Sequence, residues 1–268
     1  MLLRLLWPLA YLLACGDPTP KNDPQAEAWS AQYDAGRAAF AQSRFAEAGA
    51  AFTAALTLAE HFDPDDPRYG HAAHRLAQLH ILQGKLVEAE SLYIDLRKRE
   101  TRSPAHCPAK VLTLEGLGDT YRLQKRLAEA ADLYAQVLAF QQAHQGDGAV
   151  AATLQKLADV YRGLGHGAQA DSLTYTARAF TLRTQAHGYF VKGGYAQAES
   201  LLHSTLALQE QHFSVDHPDI ARTCYYMGRL YAAQDQYRKA AHFYRRALAA
   251  DPTDPDHAQE ALDALPAH

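Results

Sequence analysis

Leu117, Gly118 and Tyr121, then Ala130, Tyr134 and Val137, form two short blocks of small and apolar residues. Within each block the spacing is mostly three or four, which places the members on one face of a helix. The stretch therefore predicts two helices packed face to face. The same two blocks return as Met227, Gly228 and Tyr231, then Ala240, Tyr244 and Ala247, closed by Pro252. A short phrase opens the second block each time. It reads Arg44-Phe45-Ala46-Glu47-Ala48, Lys85-Leu86-Val87-Glu88-Ala89 and Arg126-Leu127-Ala128-Glu129-Ala130. It continues as Gly167-Ala168-Gln169-Ala170, Tyr195-Ala196-Gln197-Ala198 and Tyr237-Arg238-Lys239-Ala240. Successive phrases lie 41, 41, 40, 28 and 42 residues apart. A period in this range predicts stacked supersecondary units, here helix pairs.

Two units depart from the pattern. The fourth has Gly163, Gly165 and Gly167 close together and Thr174 where an aromatic residue is expected. The fifth follows after 28 residues, and its first helix, Ala179 to Val191, has Gln185 in place of Leu. Either the connecting loop is nearly absent or the two helices fuse. After Asp254-Pro255, the residues Ala258, Ala261, Leu262 and Leu265 share one face and predict a capping helix, as the end of a repeat stack requires.

Composition agrees. Ala, Leu, Gln, Glu and Arg dominate, and all are strong helix formers, whereas Val and Ile, the best strand formers, are scarce. With 268 residues, 48% of them hydrophobic, there is material for a sizeable core. The blocks Leu-Gly-x-x-Tyr, Ala-x-x-x-Tyr and Pro resemble the tetratricopeptide repeat (TPR). The long period, and His217-Pro218-Asp219-Ile220-Ala221 ahead of the last unit, are similar to the kinesin-light-chain type. Asp66-Pro67 and Ser103-Pro104 likewise put proline near the start of a new helix. The resemblance implies an all-α fold, a TPR helical-hairpin solenoid wound as a right-handed superhelix with a C-terminal capping helix. Residues 28–250 would hold about six repeats and residues 251–268 the cap. In this register Gly118 and Gly228 allow close helix approach, with Tyr121 and Tyr231 filling the space between helices. Tyr121, Tyr161, Tyr189 and Tyr231 form a core stripe.

The first residues read differently. Arg4 precedes an apolar run, Leu5 to Leu13, too short to span a bilayer, so residues 1–14 predict a signal peptide. The run ends in Leu12-Leu13-Ala14-Cys15, which resembles the lipobox of bacterial lipoproteins, with a less usual Leu13. That resemblance implies lipid attachment at Cys15, with residues 15–27 as a linker kept extended by Pro18, Pro20 and Pro24. By the same resemblance, Gly16 beside the cysteine implies the outer membrane, with the body facing the periplasm.

Candidate chemistry is sparse. Fourteen histidines are present, and His71 and His74 share a helix face, but no His-Glu-x-x-His or Cys-x-x-Cys pattern completes a metal site. There is no Gly-x-Ser-x-Gly elbow or phosphate-binding glycine loop. Cys107 and Cys224 fall in non-adjacent repeats, too far apart for a disulfide. A net charge of −4 with no basic block gives no footprint for nucleic acid. The expectation is a non-catalytic scaffold, with no cofactor, metal or small-molecule substrate, acting in cell-envelope assembly. Self-association and an unrecognised metal-dependent enzyme are the alternatives.

The resemblance implies that the first helix of each pair lines a groove for another protein or peptide. The side chains placed there are Tyr33, Arg37 and Phe40; His71, His74, Gln78 and Ile81; Glu115, Asp119 and Arg122; Gln155, Asp159 and Arg162; Arg183, His187 and Phe190; and Arg222, Tyr225 and Arg229. Tyr225-Tyr226 stands where kinesin-light-chain repeats carry Asn-Asn, and the chain has no Asn after Asn22. The amide grip on a peptide backbone is therefore missing. An arginine-rich last third, with Arg183, Arg222 and Arg229, suits an acidic partner.

Overall fold

The computed structural model describes residues 23–63, 66–100, 109–144, 147–253 and 257–266. Among them are twelve helices and no strand. They are α1 (Pro24–Ala41), α2 (Phe45–Ala59), α3 (Pro67–Leu82), α4 (Leu86–Glu100), α5 (Ala109–Leu123) and α6 (Leu127–His144). There follow α7 (Asp147–Gly163), α8 (Gly167–Val191), α9 (Tyr195–His212), α10 (Pro218–Ala232), α11 (Tyr237–Ala250) and α12 (Ala258–Asp263). The chain forms two compact units that divide between Val137 and Leu138, inside α6. The first unit holds the hairpins α1–α2 and α3–α4 and the hairpin that α5 makes with the start of α6. The second holds the rest. The signal peptide, Cys15, Ser103-Pro104, Cys107 and Asp254-Pro255 lie outside the described residues.

Every recurring phrase begins a helix, and one turn geometry precedes each. Ser43, Gly84, Lys125, Gly165, Gly193 and Asp235 all have positive φ, between 58° and 82°. Each stands two residues before its second helix. Each donates its N–H three residues back, and the next residue donates five back, as in Lys125 N–H to Arg122 O and Arg126 N–H to Tyr121 O. This pair of bonds satisfies the last carbonyls of the first helix while reversing the chain. Three of the six positions are glycine, which enters the left-handed region without a Cβ clash.

The helix pairs close on small residues. Ala48, Ala89, Ala130, Ala170, Ala198 and Ala240, the phrase-ending alanines, are all 0% exposed. What fills the notch over the glycines is not Tyr121 or Tyr231 but an aromatic ring from the second helix. A Cβ built on Gly118 would lie 2.9 Å from the Tyr134 ring, and one on Gly36 2.6 Å from Phe52. Gly228 stands in the same relation to Tyr244. Any side chain at these glycines would displace the ring, because interiors are packed without spare volume. Two buried tyrosines, Tyr134 in its notch and Tyr231 outside the notches, have partners for their hydroxyls. Tyr134 donates to Asp119 at 2.6 Å, and Tyr231 donates to Glu199 at 2.7 Å.

Helix starts follow the Asp-Pro and His-Pro signals. The Asp66 carboxylate accepts from the Arg68 N–H at 2.9 Å, and His217 Nδ1 accepts from the Asp219 N–H at 3.2 Å. Each capped helix then opens on proline.

The irregular middle resolves as a fusion. α8 is one unbroken helix of 25 residues that serves as the second helix of the fourth pair and the first of the fifth. No helix folds back between these two roles, so one packing face is lost. In α10 the residues Ile220, Cys224, Met227, Leu230 and Tyr231 are buried between α9 and α11. Their counterparts on α8 are Arg178, Leu182, Gln185, Gly188 and Tyr189, all exposed but the half-buried Leu182. Gln185 stands where Leu is expected because no helix covers it. Tyr189 is 46% exposed, so it does not belong to the core tyrosine stripe.

At the C-terminal end α12 packs on the second unit's core, with Ala258 buried and Ala261, Leu262 and Leu265 against the same cluster. It has six residues and covers the outer side of the last pair as a cap.

Candidate protein-binding groove

In the first unit most of the proposed groove residues are committed to the fold. Tyr33 stacks on Trp29 with centroids 4.7 Å apart. Phe40 packs edge-on against Phe45. Arg37 pairs with Asp34 at 3.3 Å on an exposed surface. His71 and Ile81 are half-buried, as is Glu115, while Gln78 accepts from Arg75. Asp119 accepts from Tyr134 and lies 3.8 Å from Arg122. His74 is 4% exposed and is not a groove residue. Its Nε2 lies 3.1 Å from Thr113 Oγ1, and its ring meets Tyr93 edge-on. Burial, reinforced by the positive charge of His71 and Arg75, pushes its pKa down to about 3.

In the second unit Asp159 accepts from Gln155 and pairs with Arg162 at 3.0 Å. Arg183 is 1% exposed and does not face a ligand groove. Its guanidinium lies 4.4 Å from the centre of the Phe180 ring, enclosed within the unit. The long stem of arginine buries readily while its head rests on an aromatic face, so register alone misplaces it. Arg222 is half-buried at the start of the first helix of the last pair.

The structure does bring His187, Phe190, Tyr225 and Arg229 together. The Arg229 guanidinium sits 5.7 Å from the Phe190 ring centre, 5.8 Å from Tyr225 and 6.0 Å from Tyr226. His187 meets Tyr226 edge-on at 6.2 Å. His187, Phe190, Tyr226 and Arg229 wall a shallow hollow floored by Ala186, Leu202 and Leu230, and Tyr225 stands beside the Arg229 guanidinium. Tyr226 is the addition. It lies three residues before Arg229 and so on the same helix face, a spacing that marks it in the sequence. Among the described residues Arg229 has no ion pair, unlike Arg37, Arg122 and Arg162. The aromatic rings hold the guanidinium in place while leaving its charge uncompensated.

Other chemistry is quiet. Among the described residues no group of three or more His, Cys, Asp or Glu could hold a metal ion. Cys224 is a free, buried thiol whose pKa burial pushes up to about 11, which makes it a poor nucleophile. No helix of the described residues is long and apolar enough to cross a membrane.

Successive helix pairs closed by Gly-aromatic and Ala contacts define a helical-repeat scaffold. The chain belongs to the tetratricopeptide-repeat family. One family model, described as tetratricopeptide repeat, matches residues 71–143 and 175–253, and a second of the same description matches 21–67 and 33–97. As a TPR chain it is a protein–protein interaction module without catalytic function. Among solved structures it is similar to a Podosopora anserina protein with nearly identical, kinesin-light-chain-type TPR-like repeats. That likeness is 18% identical over 88% of this chain and 99% of the other, at a TM-score of 0.50. It is also similar to the apo form of RapI, 11% identical over 87% of this chain and 85% of the other, at a TM-score of 0.56. These likenesses show the fold. No curated protein matches the chain.

Proposed function

We propose that this TPR module is an exported, lipid-anchored scaffold that holds an acidic segment of a partner protein in the groove of its second unit, within cell-envelope assembly. The observation that carries the groove is Arg229, caged by Phe190, Tyr225 and Tyr226 with no acidic partner among the described residues. A carboxylate from a partner would meet a preoriented planar fork beside apolar area, which is how arginine and tyrosine make interface hot spots. Arg222 lies seven residues earlier on the same helix and extends the positive face. The support for export and anchoring is the run Leu5 to Leu13 followed by Ala14-Cys15. Outer-membrane attachment facing the periplasm rests on Gly16.

One experiment on envelope fractions tests both parts. The parent, Arg222→Glu/Arg229→Glu and Cys15→Ser chains are expressed with a fatty-acid analogue and recovered with cross-linked partners. The expected result is label on the parent and none on Cys15→Ser. The arginine variant should lose one specific partner at unchanged Tm. Retention of every partner by the arginine variant overturns the groove. An unlabelled parent overturns the anchor and leaves the groove reading standing.

A further inference from the structure

A second surface in the same unit has the opposite character to the aromatic hollow. α11 reads Tyr237-Arg-Lys-Ala-Ala-His-Phe-Tyr-Arg-Arg-Ala-Leu-Ala-Ala250 and contains no acidic residue. Its small and aromatic positions, Ala240, Tyr244, Ala247 and Ala250, are buried in the core. Arg238, Lys239, His242 and Arg245 are exposed. Three of these, Arg238, His242 and Arg245, fall at i, i+4 and i+7 and so share one line along the outer side of the helix.

Three acids of α9 and of the turns flanking α11 have partners of their own. Glu210 holds Arg246, which is half-buried. Asp235 accepts from the Tyr237 hydroxyl at 2.6 Å, and Asp251 caps the turn by accepting from Thr253. Among the described residues Arg238 and Arg245 have no ion pair, and Lys239 rests 5.0 Å over the Tyr231 ring. This line of two arginines and an imidazole, with no acid in α11, has a definite spacing on an ordered helix. At 1.5 Å of rise per residue the heads are about 6 and 10.5 Å from the first along the axis. A parallel partner helix with Glu or Asp at the same intervals matches all three at once, and an antiparallel one needs i, i+3 and i+7. An extended segment, with same-side residues about 6.8 Å apart, falls out of step by the third.

We propose that the outer face of α11 is a second docking surface, and that its occupant is an acidic helical segment of a partner protein with carboxylates at i, i+4 and i+7. This surface lies on the opposite helix of the last pair from the Arg229 hollow and does not depend on it.

The test uses the full chain and two synthetic alanine-based helical peptides of identical composition. One carries three Glu at i, i+4 and i+7; in the other the three Glu are spread around the helix. Binding is measured by fluorescence anisotropy at low and at 0.5 M salt. The parent should bind the registered peptide at least about tenfold more tightly than the scrambled one at low salt, and the difference should collapse at high salt. Arg238→Glu/Arg245→Glu should remove that preference, Arg238→Gln/Arg245→Gln should weaken it part-way, and Arg229→Glu should leave it intact. Equal binding of both peptides, or a preference that survives the double charge reversal, overturns the proposal. So does binding of phosphatidylglycerol vesicles, but of neither peptide, through Arg238 and Arg245.

Discussion

His74 shows how burial changes what a residue can do. The repeat register places it on the groove face, but the structure encloses it with its Nε2 on Thr113, whose hydroxyl also donates to Glu100 at 2.7 Å. Protonating it would bury an uncompensated charge next to His71 and Arg75, and its pKa falls to about 3. The unfolded chain takes up this proton near pH 6.5, whereas the folded chain does not until far lower. The folded state is therefore at no disadvantage from His74 above that pH. It loses stability as pH falls from about 6.5 toward 3. The loss between pH 7 and pH 5 should be roughly 2 kcal/mol. His74→Gln keeps a polar contact to Thr113 but cannot titrate, so its urea midpoint should fall less over this range. The burial-raised pKa of Glu100 acts in both chains and largely cancels in the comparison. Parallel pH profiles for the two chains would refute the assignment. Arg183 makes the same point with a permanent charge. Sequence spacing finds the helix face of a side chain, but the neighbours decide whether that face is solvent or core.

At the scale of elements, α8 is the feature that the 28-residue interval announces without resolving. A shortened interval allows a vanished loop or a fused helix, and the two differ in what each side chain touches. The fused outcome explains Gln185 and Gly188 as solvent-facing positions and takes Tyr189 out of the core. Because one helix serves two pairs, its midpoint must carry unbroken backbone hydrogen bonds. Thr181 is exposed there and its hydroxyl bonds back to Ala177 O. Thr181→Pro removes no buried side chain, yet it should cost about 3 kcal/mol or more by breaking the helix ladder. Thermal unfolding followed by circular dichroism measures this. A variant with the parent's Tm would mean that the joint behaves as a loop. The six turns with positive φ are more regular than their residues, because Ser43, Lys125 and Asp235 adopt the geometry that glycine adopts at Gly84, Gly165 and Gly193. Composition alone would have found half of them.

For the molecule as a whole, each helix pair is stabilised by its neighbours, so the exposed side of a last pair needs cover. Ala258, Ala261, Leu262 and Leu265 provide it on the second unit. Deleting residues 257–268 should lower stability by on the order of 2 kcal/mol through lost apolar burial, and should raise the tendency to associate. Calorimetry and light scattering on the shortened chain check both, and an unchanged melt would show that α12 contributes no cover. The repeat, the start of each second helix, the alanine and glycine contacts and the cap were all legible in the sequence. They follow from local rules: helical periodicity, small residues where backbones approach, and proline or aspartate at helix starts. The groove was legible only in part. His187, Phe190 and Arg229 line one hollow with Tyr225 beside the guanidinium, whereas Arg183 and His74 are buried and Tyr226 enters from the same helix face. Which arginine stays uncompensated, which ring occupies a glycine notch and which face of α8 is left bare depend on residues distant in the chain. Those contacts exist only once the helices have packed, so tertiary structure alone decides them.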